Sequence, residues 1–126
     1  MSLFDGNACT WFEIPTVDFD RATEFYETVL DMSLRVLPGA YACSMFPNVA
    51  GRVGGCLVSR PHAKPSANGT TVFLNVDGKL DACVKRAEKL GSTITVPRTQ
   101  VPGNKSYFAC LIDSEGNQIG LHSMEF

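Results

Sequence analysis

The sequence lacks the features of several large classes of protein. No apolar run approaches the ~20 residues of a membrane-spanning helix, and the first residues do not combine a cationic with an apolar stretch as a signal peptide does. Lys and Arg total 11 against 13 Asp and Glu, so the basic excess of a nucleic-acid-binding surface is missing. With 44% hydrophobic and 19% charged residues, the composition is that of a folded domain. We expect a cytoplasmic protein that binds neither nucleic acid nor membrane.

Paired cysteines and zinc-binding spacings are also missing. The sequence has no Cys-x-x-Cys pair, and only His62 and His122 could accompany a catalytic cysteine. Most of the cysteines lie in apolar stretches, which is typical of buried free thiols in a reducing compartment. The five cysteines, an odd number, are Cys9, Cys43, Cys56, Cys83 and Cys110.

The spacing of apolar residues predicts one order of elements, written twice. The first half is predicted to form a strand, a helix and three strands, at 9–15, 19–31, 33–37, 40–46 and 53–59. In the second half, a strand at 70–76 and a helix are followed by strands at 93–96, 106–112 and 118–122. Asp18 and Asp77 are predicted N-caps of the two helices, and Gly91 is predicted to end the second. The last two strands are joined by a predicted turn, Asp113–Asn117.

The two helices repeat the same apolar positions. A shift of 58 residues superimposes Ala22, Phe25, Tyr26 and Val29 on Leu80, Cys83, Val84 and Ala87. We therefore predict an α+β fold of two tandem βαβββ modules, at about 8–60 and 69–123, with a linker at about 60–69. Their curved mixed sheets surround a cleft, and the whole chain, 1–126, forms one domain. A generic α+β sandwich without duplication is the alternative.

Two motifs resemble a known superfamily. Trp11-Phe-Glu-Ile-Pro with Asp18-x-x-Arg-Ala-x-x-Phe-Tyr26 is similar to the first strand and helix of the vicinal oxygen chelate superfamily, which includes glyoxalase I, extradiol dioxygenases and bleomycin-resistance proteins. Asp113-x-Glu-Gly-Asn-x-Ile-Gly-Leu-His-Ser123 resembles its closing hairpin. The resemblance covers essentially the whole chain. It implies the fold and says little about the reaction.

The resemblance also implies where a divalent metal ion would bind. Carried over by position, the four ligands fall on Glu13, Thr71, Gly120 and a residue near Gly55 or Cys56. Only Glu13 is a competent ligand, and a typical site needs at least three. We therefore predict no metal and no other cofactor, with a divalent metal ion as the alternative.

Two residues are candidates for catalysis. If Phe12 and Ile14 pack beneath the helices, Glu13 points into the cleft, where a glutamate beside Trp11 suits a general base or acid. The alternative is a carboxylate that is solvated or bound at an interface. His122 shares a strand face with Gly120 and is a candidate acid/base partner, anion ligand or metal ligand. Alternatively, it holds the C-terminal tail by hydrogen bonds.

Further residues are candidates for substrate binding. Arg98, placed just after the sixth strand, could pair with a substrate carboxylate or phosphate at the cleft mouth, although most single arginines are solvated. Aromatic side chains could stack on a flat apolar ligand, or simply belong to the core or a dimer contact. The predicted substrate-binding residues are Trp11, Thr71, Phe73, Arg98 and Phe108.

The expected function is binding of a small organic ligand in the cleft. If the protein is an enzyme, the resemblance implies a lyase, isomerase or dioxygenase. The mechanism would be proton abstraction next to a carbonyl, with Glu13 as base and His122 or Arg98 stabilising the negative charge. A metal-independent protein that sequesters a drug or metabolite, and a structural dimer with an inactive cleft, are the other hypotheses. Because small proteins with this resemblance commonly pair, the resemblance also implies a homodimer.

Overall fold

The computed structural model describes residues 6–124, and within them the same order of elements occurs twice. The first module contains β1 (Trp11–Pro15), α1 (Phe19–Leu30), β2 (Arg35–Leu37), β3 (Ala42–Met45) and β4 (Gly54–Ser59). The second contains β5 (Phe73–Asn75), α2 (Leu80–Lys89), β6 (Ile94–Gln100), β7 (Tyr107–Ile112) and β8 (Gln118–Ser123).

Each module forms its own four-stranded mixed sheet. The strand orders are β1-β4-β3-β2 and β5-β8-β7-β6, so the first strand of each module pairs in parallel with its last strand. The remaining neighbours are antiparallel. The predicted α+β fold of two βαβββ modules is therefore confirmed.

The helix ends agree with the sequence at two of the three predicted positions. The side chain of Asp18 caps α1 by accepting a hydrogen bond from the Arg21 N–H, and Gly91 follows α2 with a left-handed φ of 89°. The prediction that Asp77 caps α2 is wrong. Lys79 occupies the N-cap position without a side-chain cap, because Gly78 turns the chain and Asp77 instead accepts from the Met124 N–H.

Several strands differ in length from the prediction, and the differences in β5 and β6 affect the second sheet. β5 is shorter than 70–76. β6 continues to Gln100, through Pro97, whereas the sequence suggested that it ends at 96. Proline is tolerated there because β6 is an edge strand whose pairing with β7 is irregular on both sides of Val96.

Both helices cover the same side of the two sheets. α1 packs on β4, α2 packs on β6, β7 and β8, and the two helices contact each other, with the Arg86 Nε–H donating to the Val29 carbonyl at 2.9 Å. One apolar core therefore includes residues of both modules. The two sheets do not close on one another, so the opposite side, which we call the open face, carries no helix. No helix among residues 6–124 is long and apolar enough to span a membrane.

The turn between β7 and β8 is confirmed and also joins the modules. The Asp113 carboxylate accepts from the N–H groups of Glu115 and Asn117, which closes the turn. It also accepts from the Tyr26 hydroxyl of α1 at 2.5 Å. Burial, and then the charge of Asp113, raise the pKa of Tyr26 well above its ordinary value. Tyr26 therefore remains a neutral donor.

The carboxylate of Glu115 makes the second contact between the modules. It accepts from the N–H groups of Val17 and Asp18, at 2.8 and 2.6 Å, and pairs with the Arg21 guanidinium at 2.8 Å. An anion at the N-terminal end of α1 also interacts favourably with the helix dipole. Burial raises the pKa of Glu115, but these donors outweigh it and lower the pKa from 4.5 to about 2.

We expect Glu115→Gln to destabilise the protein in a pH-dependent way. Because the pKa is lower in the folded state, the ionised carboxylate stabilises the fold above about pH 4.5, and this contribution is lost as the pH falls toward 2. The Glu115 carboxylate is buried, although its partner Arg21 is half-exposed, and hydrogen bonds to a charged group of this kind contribute about 1.5–3 kcal/mol at pH 7. Urea unfolding of both proteins at pH 7 and pH 3 measures the difference, which should be smaller at pH 3.

Glu24→Gln is the matched control, because Glu24 lies exposed on α1. Its stability should stay close to that of the wild type at both pH values. An equal loss for Glu115→Gln at pH 7 and pH 3 would show that the charge of Glu115 is not what joins the modules.

Candidate functional site

A large cavity lies where the two sheets meet, between β1 and β5. It has a volume of about 840 Å³ and is bordered by the segment that connects the modules. Its lining includes Trp11, Glu13, Lys64, Thr71, Phe73 and Asn75. A cavity of this size accommodates a small organic molecule.

Glu13 lies on the wall of this cavity, as the alternation of β1 predicts. Ile14 belongs to the core and Phe12 packs against it, so Glu13 projects to the open face. Its Oε1 pairs with the Arg60 guanidinium at 2.6 Å, and its Oε2 accepts from the Trp11 indole N–H at 3.4 Å. Both oxygens of this carboxylate therefore have a donor from the chain itself.

Phe73 forms the opposite wall and rests on Gly120. The two residues are partners in the β5–β8 pairing, and a Cβ atom added to Gly120 would fall within the Phe73 ring. The edge of the ring meets Phe108, with centroids 5.9 Å apart. Trp11 and Phe73 nevertheless remain 43% and 50% exposed. The cavity therefore has one solvent-accessible aromatic ring from each module.

The other candidate residues lie at varying distances from this cavity. Thr71 lines it. His122 and Phe108 are not in its lining; they pair with each other across β8 and β7, and Asn75, which does line the cavity, is the β5 partner of His122. The structure thus does not bring His122 and Glu13 together in the cavity.

Arg98 is not at the mouth of the cavity, contrary to the prediction. It lies within β6, at the outer edge of the second sheet. Its guanidinium pairs with Asp81 of α2 at 3.0 Å and lies 5.9 Å from the centre of the Tyr107 ring. The reason is that β6 extends past Pro97, so Arg98 belongs to a strand rather than to a loop.

The residues at the family's metal-binding positions do not fit a divalent ion. Gly120 offers no side chain and is covered by Phe73. Cys56, the β4 partner of Glu13, is buried, and burial followed by a hydrogen bond with Cys43 raises the pKa of its thiol to about 12. No three His, Cys, Asp or Glu side chains within 6–124 are grouped so that they could hold a metal ion.

Sequence reasoning missed the cations of this site. Arg60 and Lys64 belong to the segment predicted as a linker, yet Arg60 pairs with Glu13 and Lys64 lines the cavity. The sequence feature that could have identified Arg60 is its position directly after β4. This position indicates a contact with Glu13 only once β4 is known to lie beside β1.

We expect Gly120→Ala to destabilise the protein by about 1–3 kcal/mol, because the new methyl group must displace the Phe73 ring. Urea unfolding measures this cost. In Phe73→Ala/Gly120→Ala the clash is absent, so the double variant should lose less stability than the two single variants added together.

Gly69→Ala is the matched control, since a Cβ atom there meets nothing within 4 Å and the backbone is not left-handed. It should cost little. Additive effects of Phe73→Ala and Gly120→Ala would contradict the placement of the ring on Gly120.

One family model matches almost the whole chain. Residues 9–121 match the family model of the Glyoxalase/Bleomycin resistance protein/Dioxygenase superfamily. No curated protein matches the chain significantly.

Solved structures share the fold at low sequence identity. A glyoxalase/bleomycin resistance protein from Albidiferax ferrireducens is 18% identical, with a TM-score of 0.71, over 90% of this chain and 96% of the other. A glyoxalase/bleomycin resistance protein/dioxygenase family enzyme from Burkholderia phytofirmans is 17% identical, with a TM-score of 0.66, over 91% and 97%. A glyoxalase I mutant from Zea mays is 19% identical, with a TM-score of 0.67, over 93% of this chain and 46% of that one. At such identities the likeness establishes the fold alone.

Proposed function

The chain belongs to the Glyoxalase/Bleomycin resistance protein/Dioxygenase superfamily, and on this basis we propose that it binds a small, planar organic ligand in the cavity between β1 and β5. The observation that carries the proposal is the pair of exposed aromatic rings, Trp11 and Phe73, on two walls of one cavity. Apolar walls with a few polar groups are typical of small-ligand sites.

The polar groups of the cavity suit a ligand with an anionic or polar edge. Lys64 supplies a cation, while Thr71 and Asn75 supply neutral donors and acceptors. The charge of Glu13 is balanced by Arg60 at 2.6 Å, so this carboxylate does not repel an anion as a lone one would. We propose that the ring of the ligand lies against Phe73 or Trp11 and that its polar edge faces Lys64.

We propose that this binding requires no metal ion or other cofactor. The support is the chemistry of the donors, since Gly120 carries no ligand and Cys56 retains its proton at neutral pH. The protein would then sequester a drug or metabolite, in the manner of the bleomycin-resistance proteins that the sequence resembles. The five free cysteines further support a reducing, cytoplasmic location.

An isomerase or lyase acting next to a carbonyl is the second candidate function. It is supported by the Glu13 carboxylate, which lies on the cavity wall with 31% of its side chain exposed. Glu13 would take the proton, and Arg60 rather than Arg98 would stabilise the developing negative charge. His122 does not line the cavity and would have no direct role.

Binding can be measured with 1-naphthoate, a planar aromatic anion, by calorimetric titration. Phe73→Ala should weaken binding by about 3–10-fold, because one stacking partner is lost. Glu13→Gln should bind 1-naphthoate almost as well as the wild type. Under the second candidate function, the same variant should lose turnover of any keto-acid substrate that screening identifies.

Tyr41→Ala is the matched control, because Tyr41 is as exposed as Phe73, at 50%, and does not line the cavity. It should leave the affinity unchanged. If Phe73→Ala and Tyr41→Ala affect binding equally, or if the wild type binds no such anion, the cavity is not the site that we propose.

We also propose that the protein is a homodimer formed through its open face. The support is that this face has no helices to cover it, and that Trp11, Val53 and Phe73 are exposed there around one cavity. Clustered apolar side chains of this kind mark interaction surfaces. A second copy that packs against these three side chains would enclose the cavity more fully.

Light scattering should then give a mass of about twice 13.7 kDa. Val53→Glu should shift the protein toward the monomer, because it places a charge in the interface. Leu90→Glu, at an exposed position after α2 on the helical side, should leave the mass unchanged. A wild-type mass near 13.7 kDa would rule out the dimer.

A further inference from the structure

A group of sulfur atoms lies on the open face of the first sheet, outside the lining of the cavity. In the antiparallel pairing of β3 with β4, Cys43 is opposite Val58 and Met45 is opposite Cys56. Because side chains alternate along a strand, all three sulfur-bearing residues project to the same face. Cys43 and Cys56 are diagonal neighbours in this pairing, and Cys43 is among the groups that raise the pKa of the Cys56 thiol. The sheet thus places two thiols and one thioether at adjacent positions of the same face.

The two thiols differ in access. Cys56 is 1% exposed, whereas Cys43 is only partly buried, so a small species can reach the pair past Cys43. The charged groups that act on Cys56 are Glu13, its partner on β1, and Arg60. These two are paired with each other at 2.6 Å and leave the surroundings of the sulfur atoms close to neutral.

We propose that Cys43 and Cys56, assisted by Met45, form a binding site for a soft, thiophilic metal ion of the Cu(I) type. Thiolate and thioether sulfur atoms select Cu(I) over harder divalent ions. A structural zinc site would need four ligands, and the pair supplies only two thiolates. Cys56 lies at or beside one of the four positions that the superfamily resemblance implies for a divalent ion, but Cys43 and Met45 do not, and the site uses neither Glu13, Thr71 nor Gly120.

The binding step balances without a change of oxidation state. Two S–H bonds break, their protons pass to the solvent, and two Cu–S bonds form to one Cu(I) ion. The thioether of Met45 is a neutral third ligand. The complex carries one net negative charge. Because each thiol must lose its proton before it binds the metal ion, the affinity should rise with pH.

The test is an anaerobic titration of the reduced protein with Cu(I) in competition with bicinchoninate, a coloured Cu(I) chelator. The wild type should withdraw one equivalent of Cu(I) from the chelator. Removing an outer-shell partner of a metal ligand lowers metal affinity ~10–100-fold. Because Cys43→Ser and Cys56→Ser each remove a ligand itself, both should lower the affinity for Cu(I) by more than this. Met45→Leu should bind more weakly than the wild type but more tightly than either serine variant.

Cys110→Ser is the matched control. Cys110 is also a buried thiol of the open face, on β7, and the pKa of its thiol is raised by burial alone. This variant should retain the wild-type affinity. The proposal is overturned if Cys43→Ser binds as tightly as the wild type, or if Cys110→Ser loses as much affinity as Cys43→Ser.

Alkylation gives a second readout that does not depend on folding of the Cys56 variant. Iodoacetamide should modify Cys43 of the metal-free wild type, and one equivalent of Cu(I) should protect it. Cys9, which is exposed, should react equally with and without the ion. Equal alkylation of Cys43 in both conditions would also overturn the proposal.

Discussion

The carboxylate of Glu115 holds the two modules in a fixed relation. It lies in the turn between the last two strands, yet its hydrogen-bond donors are the backbone and a side chain at the start of α1. Asp113, two residues earlier, accepts from Tyr26 of the same helix, and Asn117, two residues later, donates to the Pro15 carbonyl at the end of β1. Three side chains of one turn thus position β1 beside the second module. Buried and charge-assisted bonds of this kind are costly to break.

This relation between the modules determines what the open face can do. With both helices on one side, the edge strands β1 and β5 meet on the other side with a cavity between them. The rings of Trp11 and Phe73 reach this cavity from different modules, so neither module alone contains it. The ligand-binding proposal therefore depends on the same contacts as the stability of the fold.

The two modules repeat in order but differ in detail. In each, a phenylalanine of the first strand covers the glycine with which it pairs, Phe12 over Gly55 and Phe73 over Gly120. Phe12 covers its glycine on the core side, whereas Phe73 covers its glycine on the open face. The reason is that Phe12 lies two residues from the buried Ile14 and shares its side of the strand, whereas Phe73 is adjacent to the buried Leu74 and projects to the opposite side. The position that the resemblance assigns to a metal-binding carboxylate is thus occupied by an aromatic ring. The duplicated backbone is compatible with different chemistry on its two halves.

The sequence by itself determined the local features, because they depend on neighbouring residues. The apolar stripe of α1, its cap at Asp18, the turn at Asp113–Asn117 and the direction of Glu13 all follow from periods of 3.6 or 2 and from short-range hydrogen bonds. The matching stripes, 58 residues apart, were enough to predict two βαβββ modules. Asp77 failed as a cap because its partner, the Met124 N–H, is 47 residues away.

Only the tertiary structure decided which distant residues meet. β1 pairs with β4, past two intervening strands, and this non-local pairing brings Arg60 to Glu13. Phe73 rests on Gly120 for the same reason, through the parallel pairing of β5 with β8. The extension of β6 beyond Pro97 removed Arg98 from the site. Such contacts arise from strand order and register, and no periodicity in a single sequence encodes either of them.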